Sequence, residues 1–350
     1  MAHPAIRGRR PVTTLEEVAL KAGVSRATVS RVVNGSPKVS PDVRRQVEAA
    51  VTALGYVPNR AARSLVTRRS GSIGVVITEP SGRLFNDPFF PRLLRGISAG
   101  LSARDLQLVL LMPASPDETE RTGDYLAAGH VDGVLFVSLH GDDPLPERMT
   151  RAGIPFVVGG RPLHDTPASF VDVDNIGGAK SAVAHLIGNG RRIVATIAGP
   201  SDMGAGVDRL AGYRAALVEA SLPYDEQLVG SSDFTHEGGT AAMTRLLADR
   251  PDIDAVFAAS DLIAAGALSV LEAAGRRVPA DVALVGYDDS LIAATLHPFL
   301  TSVRQPIEEM GQEMARLLVE AVESAEPVQR RVILATQLIR RASSAGRAMP

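Results

Sequence analysis

Arg26, Ala27, Thr28, Ser30 and Arg31 stand at helical spacing in this 350-residue sequence, and their types suit the reading of a nucleic acid. An arginine can donate two parallel hydrogen bonds to a guanine edge, and an alanine methyl can pack on a thymine methyl. Hydroxyls and guanidinium groups also hold phosphates. A second set is scattered through the remainder: Phe89, Phe90, Ser138, Arg161, Phe234, Ser260, Asp261 and Asp288, all following apolar, strand-like runs or in the loops after them. Aromatic faces with hydroxyls, carboxylates and one guanidinium suit a small polar ligand such as a sugar or a purine. Aromatic residues make up only 4% of the chain, so three Phe at such places carry weight. Each Phe taken alone also fits a core position, and Asp261 reads equally well as a helix N-cap.

Catalytic and metal chemistry finds no support. His164, His185, His236 and His297 lack metal-ligand spacing. Asp172, Asp174 and Asn175 read as a strand end leading into an N-cap rather than as a cation site. Gly177-Gly178-Ala179-Lys180-Ser181 lacks the glycines of a phosphate loop, and Gly204-Ala205-Gly206 lacks the third glycine of a dinucleotide fingerprint. Nothing assembles a nucleophile, a base and an orienting group. No enzyme activity, metal or cofactor is expected. A protein that only captures a ligand, without DNA, is the competing reading.

The first set needs two short helices across a tight turn. Leu15, Val18 and Ala19 form one apolar face, Gly23 can take the left-handed conformation that stops a helix, and Ser25 suits the N-cap of the next. Val29, Val32 and Val33 form the inner face of that second helix, and Ala19 is small where the two must cross. This is the helix-turn-helix pattern, whose second helix enters the major groove. Ser40-Pro41 opens a third helix, with Val43, Val47, Ala50, Val51 and Leu54 inward, and Gly55 ends it. Residues 59–66 read either as plain linker or as a hinge helix that forms on DNA, with Leu65 as a wedge in the minor groove. Thr14, Ser25, Asn34, Asn59, Arg60, Ala62 and Leu65 complete the candidate DNA-binding set.

The second set needs a different frame. Apolar runs at 73–78, 106–112, 133–138, 155–160, 193–199, 255–260 and 282–288 alternate with amphipathic stretches such as 91–103, 176–188, 208–220, 236–249 and 262–274. That alternation predicts parallel sheets covered on both faces. The length of this region predicts two α/β subdomains rather than one. Charge divides in the same place. Residues 1–69 hold 13 Lys and Arg against 4 Asp and Glu, and the remainder holds 24 against 35, so a basic head precedes an acidic body. A polyanion partner is expected for the head alone. The chain has no cysteine and no apolar run long enough to span a bilayer, and residues 1–13 read as a basic arm without a signal-peptide core, so a cytoplasmic location is expected.

The stretches VALKAGVSRATVSRVVNG and VSPDVRRQVEAAVTALGYVPNRAARSL resemble the head of the lactose/galactose repressor (LacI/GalR) family of transcriptional regulators. Similarity continues through DPFFPRLLRGI, VDGVLFVS, FVDVDNIGGAKSAVAHLIGNG, AASDLIAAGAL and VPADVALVGYDDS. The resemblance implies a helix-turn-helix head on a periplasmic-binding-protein-like core, a homodimer on a pseudo-palindromic operator, and an effector cleft between the two subdomains. It implies base-reading roles for Arg26 and Ala27, a major-groove role for Arg31, the wedge role for Leu65 and effector contact for Asp288. The implied boundaries are 14–58 for the head, 59–71 for the hinge and linker, and 72–341 for the core. The core would hold one subdomain at 72–172 and 305–330 and another at 173–304 and 331–341, before a tail at 342–350 without a coiled-coil pattern. Sugar-responsive members carry an arginine where this chain has Val207. That leaves Arg161 as the expected charge in the cleft and Arg209 as a structural anchor. The loop 79–88 looks longer than is usual in the family and is expected to reshape the cleft mouth.

Overall fold

The computed structural model describes residues 13–33, 36–56, 69–164, 167–324 and 328–345. They form two separate units, divided at Ser70 and Gly71.

The first unit is helical: α1 (Leu15–Ala22), α2 (Arg26–Val33) and α3 (Pro41–Leu54). Thr14 and Glu17 cap α1 reciprocally: the Thr14 hydroxyl accepts from Glu17 N at 3.3 Å, and Thr14 N donates to the Glu17 carboxylate at 2.8 Å. Gly23, at φ +62°, ends α1, and the Ser25 hydroxyl accepts from Thr28 N at 3.2 Å to start α2. Ser40 stands before Pro41 as expected, but its side chain makes no capping bond. Val18, Ala19, Ala22, Val29, Val32, Val47 and Ala50 close the small core. Burial of its larger members stabilises by about 1.5–3 kcal/mol each.

The second unit opens with β1 (Ser72–Ile77), α4 (Ser81–Asn86), α5 (Phe89–Ser102), β2 (Gln107–Leu111), α6 (Pro116–Tyr125), β3 (Gly133–Val137), α7 (Leu145–Ala152), β4 (Phe156–Gly159) and β5 (Ser169–Val173). It continues with α8 (Asn175–Gly188), β6 (Val194–Ala198), α9 (Gly204–Glu219), β7 (Val229–Ser231), α10 (His236–Asp249), β8 (Ala255–Ala258), α11 (Asp261–Ala273), β9 (Ala283–Asp288), α12 (Leu291–Thr295), β10 (Thr301–Arg304), α13 (Ile307–Glu323), β11 (Arg331–Leu334) and β12 (Gln337–Ile339). The strands form two six-stranded sheets, ordered β11-β5-β4-β3-β1-β2 and β12-β10-β9-β8-β6-β7. Every pairing is parallel except β10 with β12. Fully buried runs such as Val75–Ile77 and Val134–Phe136 explain why these strands read as continuous rather than alternating.

The chain passes between the lobes after β5, after β10 and after β11. The last passage corrects the expected one near residue 330. Residues 331–334 pair in parallel with Phe170–Val173 of the first sheet, and Val332 and Leu334 pack on that lobe's core. Chain passage therefore falls between Leu334 and Gln337. α13 packs on α5 closely enough that a Cβ on Gly96 would lie 2.1 Å from the Glu308 carbonyl oxygen. Only a glycine permits that approach. Among the described residues no helix is long and apolar enough to cross a membrane.

Candidate functional site

A cavity of about 530 Å³ lies between the two lobes, at the C-terminal ends of their strands. Open α/β sheets bind ligands there. Three wall residues sit at strand ends or in the loops beyond them with left-handed backbones: Ser138 (φ +60°), Phe234 (φ +65°) and Asp288 (φ +109°). Such angles cost about 1–3 kcal/mol in residues with a Cβ and cluster where function holds them. The Phe234 ring lies over Gly199, where an added Cβ would approach Cζ to 2.2 Å.

The floor is a network of buried polar groups. Asp288 accepts a hydrogen bond from the Gln305 amide at 2.5 Å and lies 3.6 Å from Arg209 Nη1. Burial pushes the Asp288 carboxyl well above the usual range, and Arg209 opposes the shift. Arg209 donates to the Asn175 side-chain oxygen at 2.9 Å and to the Ala259 carbonyl at 2.6 Å, and its guanidinium stacks 3.8 Å from the Tyr287 ring centroid. Asp172 accepts from Arg161 N at 2.9 Å and from the Asn175 amide at 2.9 Å, and burial raises its carboxyl too. Asp174 caps α8 through Gly177 N at 2.8 Å. Among the described residues no group of three His, Cys, Asp or Glu is placed to hold a metal.

At the mouth, His140 bridges the lobes. Its Nε2 meets Glu79 at 3.0 Å and its Nδ1 meets Asp202 of the second lobe at 3.0 Å, while Gly141 N donates to the Asp202 carbonyl at 2.8 Å. The Glu79 hydrogen bond, with that to Asp202, raises the His140 pKa despite burial. Burial pushes Glu79 up, but His140, Arg83 and Ser138 together outweigh it and hold the carboxyl below its ordinary value. Arg161 is engaged in a two-pronged pair with Asp208, at 2.9 and 2.7 Å. Its Nη1 donates to the Pro162 carbonyl at 3.2 Å.

Six of the expected effector residues line this cavity: Phe89, Ser138, Arg161, Phe234, Ser260 and Asp288. Two do not. Phe90 is 1% exposed and packs edge-to-face on Phe89, at 5.4 Å between centroids, inside the first lobe's core. It lies one helical step beyond Phe89, about 100° round the axis, and so turns into the core. Asp261 is equally buried, and its carboxylate accepts from Ser290 N, the Ser290 hydroxyl and the Ser302 hydroxyl at 2.6–2.9 Å. Burial pushes Asp261 up to about 7. Those three bonds tie the second lobe's loops together and leave no oxygen turned to the cleft. Ser260, not Asp261, is the cap of α11, accepting from Ile263 N at 3.2 Å.

The sequence reading missed Arg83, Asp87, Asn175 and Gln305 on the wall, and it classed Arg209 as an anchor only. Arg209 is both anchored and exposed to the cavity, whereas Val207 does not line it. Asp87 and Gln305 each precede a proline, which is the one local signal they carry. Arg83 comes from the long 79–88 loop, which folds into α4 and does line the mouth.

In the helical unit, Ser25, Arg26, Ala27 and Arg31 are exposed, and Thr28 and Ser30 are half-buried. Arg26 Nε pairs with Glu16 of α1 at 3.0 Å, with both side chains mostly in solvent. Thr14 is committed to its cap. Asn34, Asn59, Arg60, Ala62 and Leu65 lie outside the described residues.

Comparison with known proteins gives a consistent picture. Residues 14–59 match the model of bacterial regulatory proteins of the lacI family, and residues 183–344 match that of the periplasmic binding protein-like domain. The HTH-type transcriptional regulator CelR of Thermobifida fusca is 55% identical over 96% of this chain and 99% of its own length. A solved structure of the transcriptional regulator CelR–cellobiose complex superposes with a TM-score of 0.77 at 52% identity, covering 95% of this chain and 99% of the other. The Lac repressor dimer bound to operator and the anti-inducer ONPF superposes at 0.84, with 26% identity over 95% of this chain and 99% of the other.

Proposed function

The chain belongs to the lacI family of bacterial regulatory proteins and is a transcriptional regulator, and from that premise we propose that it binds a pseudo-palindromic operator as a homodimer under the control of a cellobiose-like disaccharide held between its lobes. The observation that carries the effector class is the charge pairing in the cavity. Asp288 faces Arg209, Arg161 faces Asp208 and Arg83 faces Glu79. A site whose three arginines are already paired suits a neutral, hydroxyl-rich ligand better than an anion, because an anion would need an unmatched cation. Phe89 offers a half-buried aromatic ring on which a sugar can pack. Asp288, Asn175, Gln305 and Arg209 offer donors and acceptors for its hydroxyls. The volume falls in the range of small-molecule sites, about 300–1,000 Å³. The cellobiose in the CelR complex supports the disaccharide over a monosaccharide or a nucleobase.

On DNA, α2 would enter the major groove, with Arg26 and Ala27 on base edges and Thr28, Ser30 and Arg31 on bases or phosphates. Asn59, Arg60, Ala62 and Leu65 would form the hinge contacts, and the protein would act in the cytoplasm. Sugar binding would favour one lobe orientation and so one spacing of the paired hinges. The coupling equals the sugar's differential affinity for the two states, typically about 1–3 kcal/mol. Calorimetric titration and thermal melts with cellobiose, glucose, maltose and adenine test the effector class. Cellobiose at 100 times its Kd should stabilise the core by about 2.7 kcal/mol. Binding of adenine alone would overturn the sugar reading.

A further inference from the structure

Arg83 is one of the wall residues that the sequence reading does not assign. It sits in α4, within the extended loop, and its side chain is nine-tenths buried. Nη1 donates to Glu79, which is itself fixed by the Ser138 hydroxyl and by His140 Nε2 at 3.0 Å. The guanidinium is braced by two rings, with its carbon 5.8 Å from the Phe90 centroid and 5.1 Å from that of Phe234 in the opposite lobe. Arg209 packs on the same Phe234 ring at 5.7 Å. Phe234 is therefore a post between two guanidinium groups rather than a free stacking platform. Arg83 Nε is sealed off, without a hydrogen-bond partner among the described residues, so the part of this wall residue that can meet a ligand is the end of the guanidinium.

We propose that Arg83 is a specificity-determining residue, which donates from the end of its guanidinium to a hydroxyl oxygen of the bound disaccharide. The proposal rests on the sugar reading above and deepens it. A guanidinium oriented by Glu79 and two rings keeps its N–H direction fixed, so it rejects a sugar that lacks the matching oxygen. Because Phe90 and Phe234 belong to different lobes, the same side chain senses lobe position and sugar together.

The test is calorimetric titration of the full-length wild type, Arg83→Lys and Arg83→Met with cellobiose and its monodeoxy derivatives, after thermal melts without sugar. Lysine keeps the charge beside Glu79 but lacks the planar fork of N–H donors, and methionine keeps the apolar stem alone. We expect cellobiose affinity to fall about 10-fold in Arg83→Lys and about 10- to 100-fold in Arg83→Met. One monodeoxy derivative should bind poorly to wild type yet lose nothing further in either variant. Equal losses across all derivatives would mean that Arg83 only shapes the cavity, and unchanged affinity would mean that it does not touch the sugar; either result overturns the inference. Failure of the wild type to bind cellobiose overturns the sugar reading itself, which is a separate outcome.

Discussion

The recognition helix and the inter-lobe cavity both depend on arginines, but they hold them in opposite ways. Arg26 and Arg31 stand in solvent on α2, and the Arg26 pair with Glu16 is of the surface kind that contributes about 0–1 kcal/mol. Arg83 and Arg209 are buried, stacked on rings and tied to carboxylates. The difference follows from the ligands. A duplex brings its own charge, and mobile cations that give up their waters at the interface suffice for it. A neutral sugar brings no field, so the donors that read it must be held in place beforehand.

The contrast is sharpened most by salt. Between 50 and 200 mM salt, operator affinity should fall by about 10³- to 10⁵-fold, as expected for roughly 6–10 phosphate contacts, while cellobiose affinity stays within about twofold. Parallel anisotropy and calorimetric titrations would show it, and comparable salt slopes would erase the distinction. Arg209→Met comes next. Cellobiose binding should weaken by about 100-fold and core stability should fall by about 3 kcal/mol, because Asp288 loses its cation in a buried setting. Denaturant unfolding separates the two effects. Arg26→Ala should do the reverse, leaving unfolding within about 0.5 kcal/mol of wild type and weakening operator binding by about tenfold with relaxed preference at one base position.

The smallest effect concerns the mouth. The folded pKa of His140 is raised from 6.5, chiefly by its hydrogen bond to Glu79. Its contribution to core stability is therefore complete below pH 6.5 and is lost as pH rises through the raised value. His140→Asn should flatten the pH dependence of the melting temperature above that point. An unchanged slope in the variant would remove His140 from the lobe contact.

The two regions also differed in how far they could be read in advance. The helix-turn-helix lies in one stretch, where Ala19, Gly23, Ser25, Val29 and Val32 each state their role by type and spacing. The structure places them as expected. Seven of the strands were equally legible because burial on both faces makes them continuous apolar runs, whereas the short β7, β10, β11 and β12 were not. The cavity was legible where a residue follows a strong strand, as Ser138, Arg161, Ser260 and Asp288 do, and where a scarce aromatic stands in a loop or at a helix start, as Phe234 and Phe89 do. Phe90 and Asp261 stand beside true wall residues and differ only in the side from which they leave the backbone. Arg83 and Gln305 come from a loop and a lobe crossing, where no periodicity marks direction. Strand β11 was assigned to the wrong lobe because a four-residue edge strand carries too little pattern to show its partner.

The account turns on coupling between the sugar and the operator. Fluorescence anisotropy on a dyad-symmetric duplex selected from random sequence, titrated at several cellobiose concentrations, measures that coupling directly. It should show operator affinity changing by about 5- to 150-fold, and cellobiose affinity changing by the same factor when operator is bound. Operator affinity that stays constant while the cavity fills with cellobiose would contradict it.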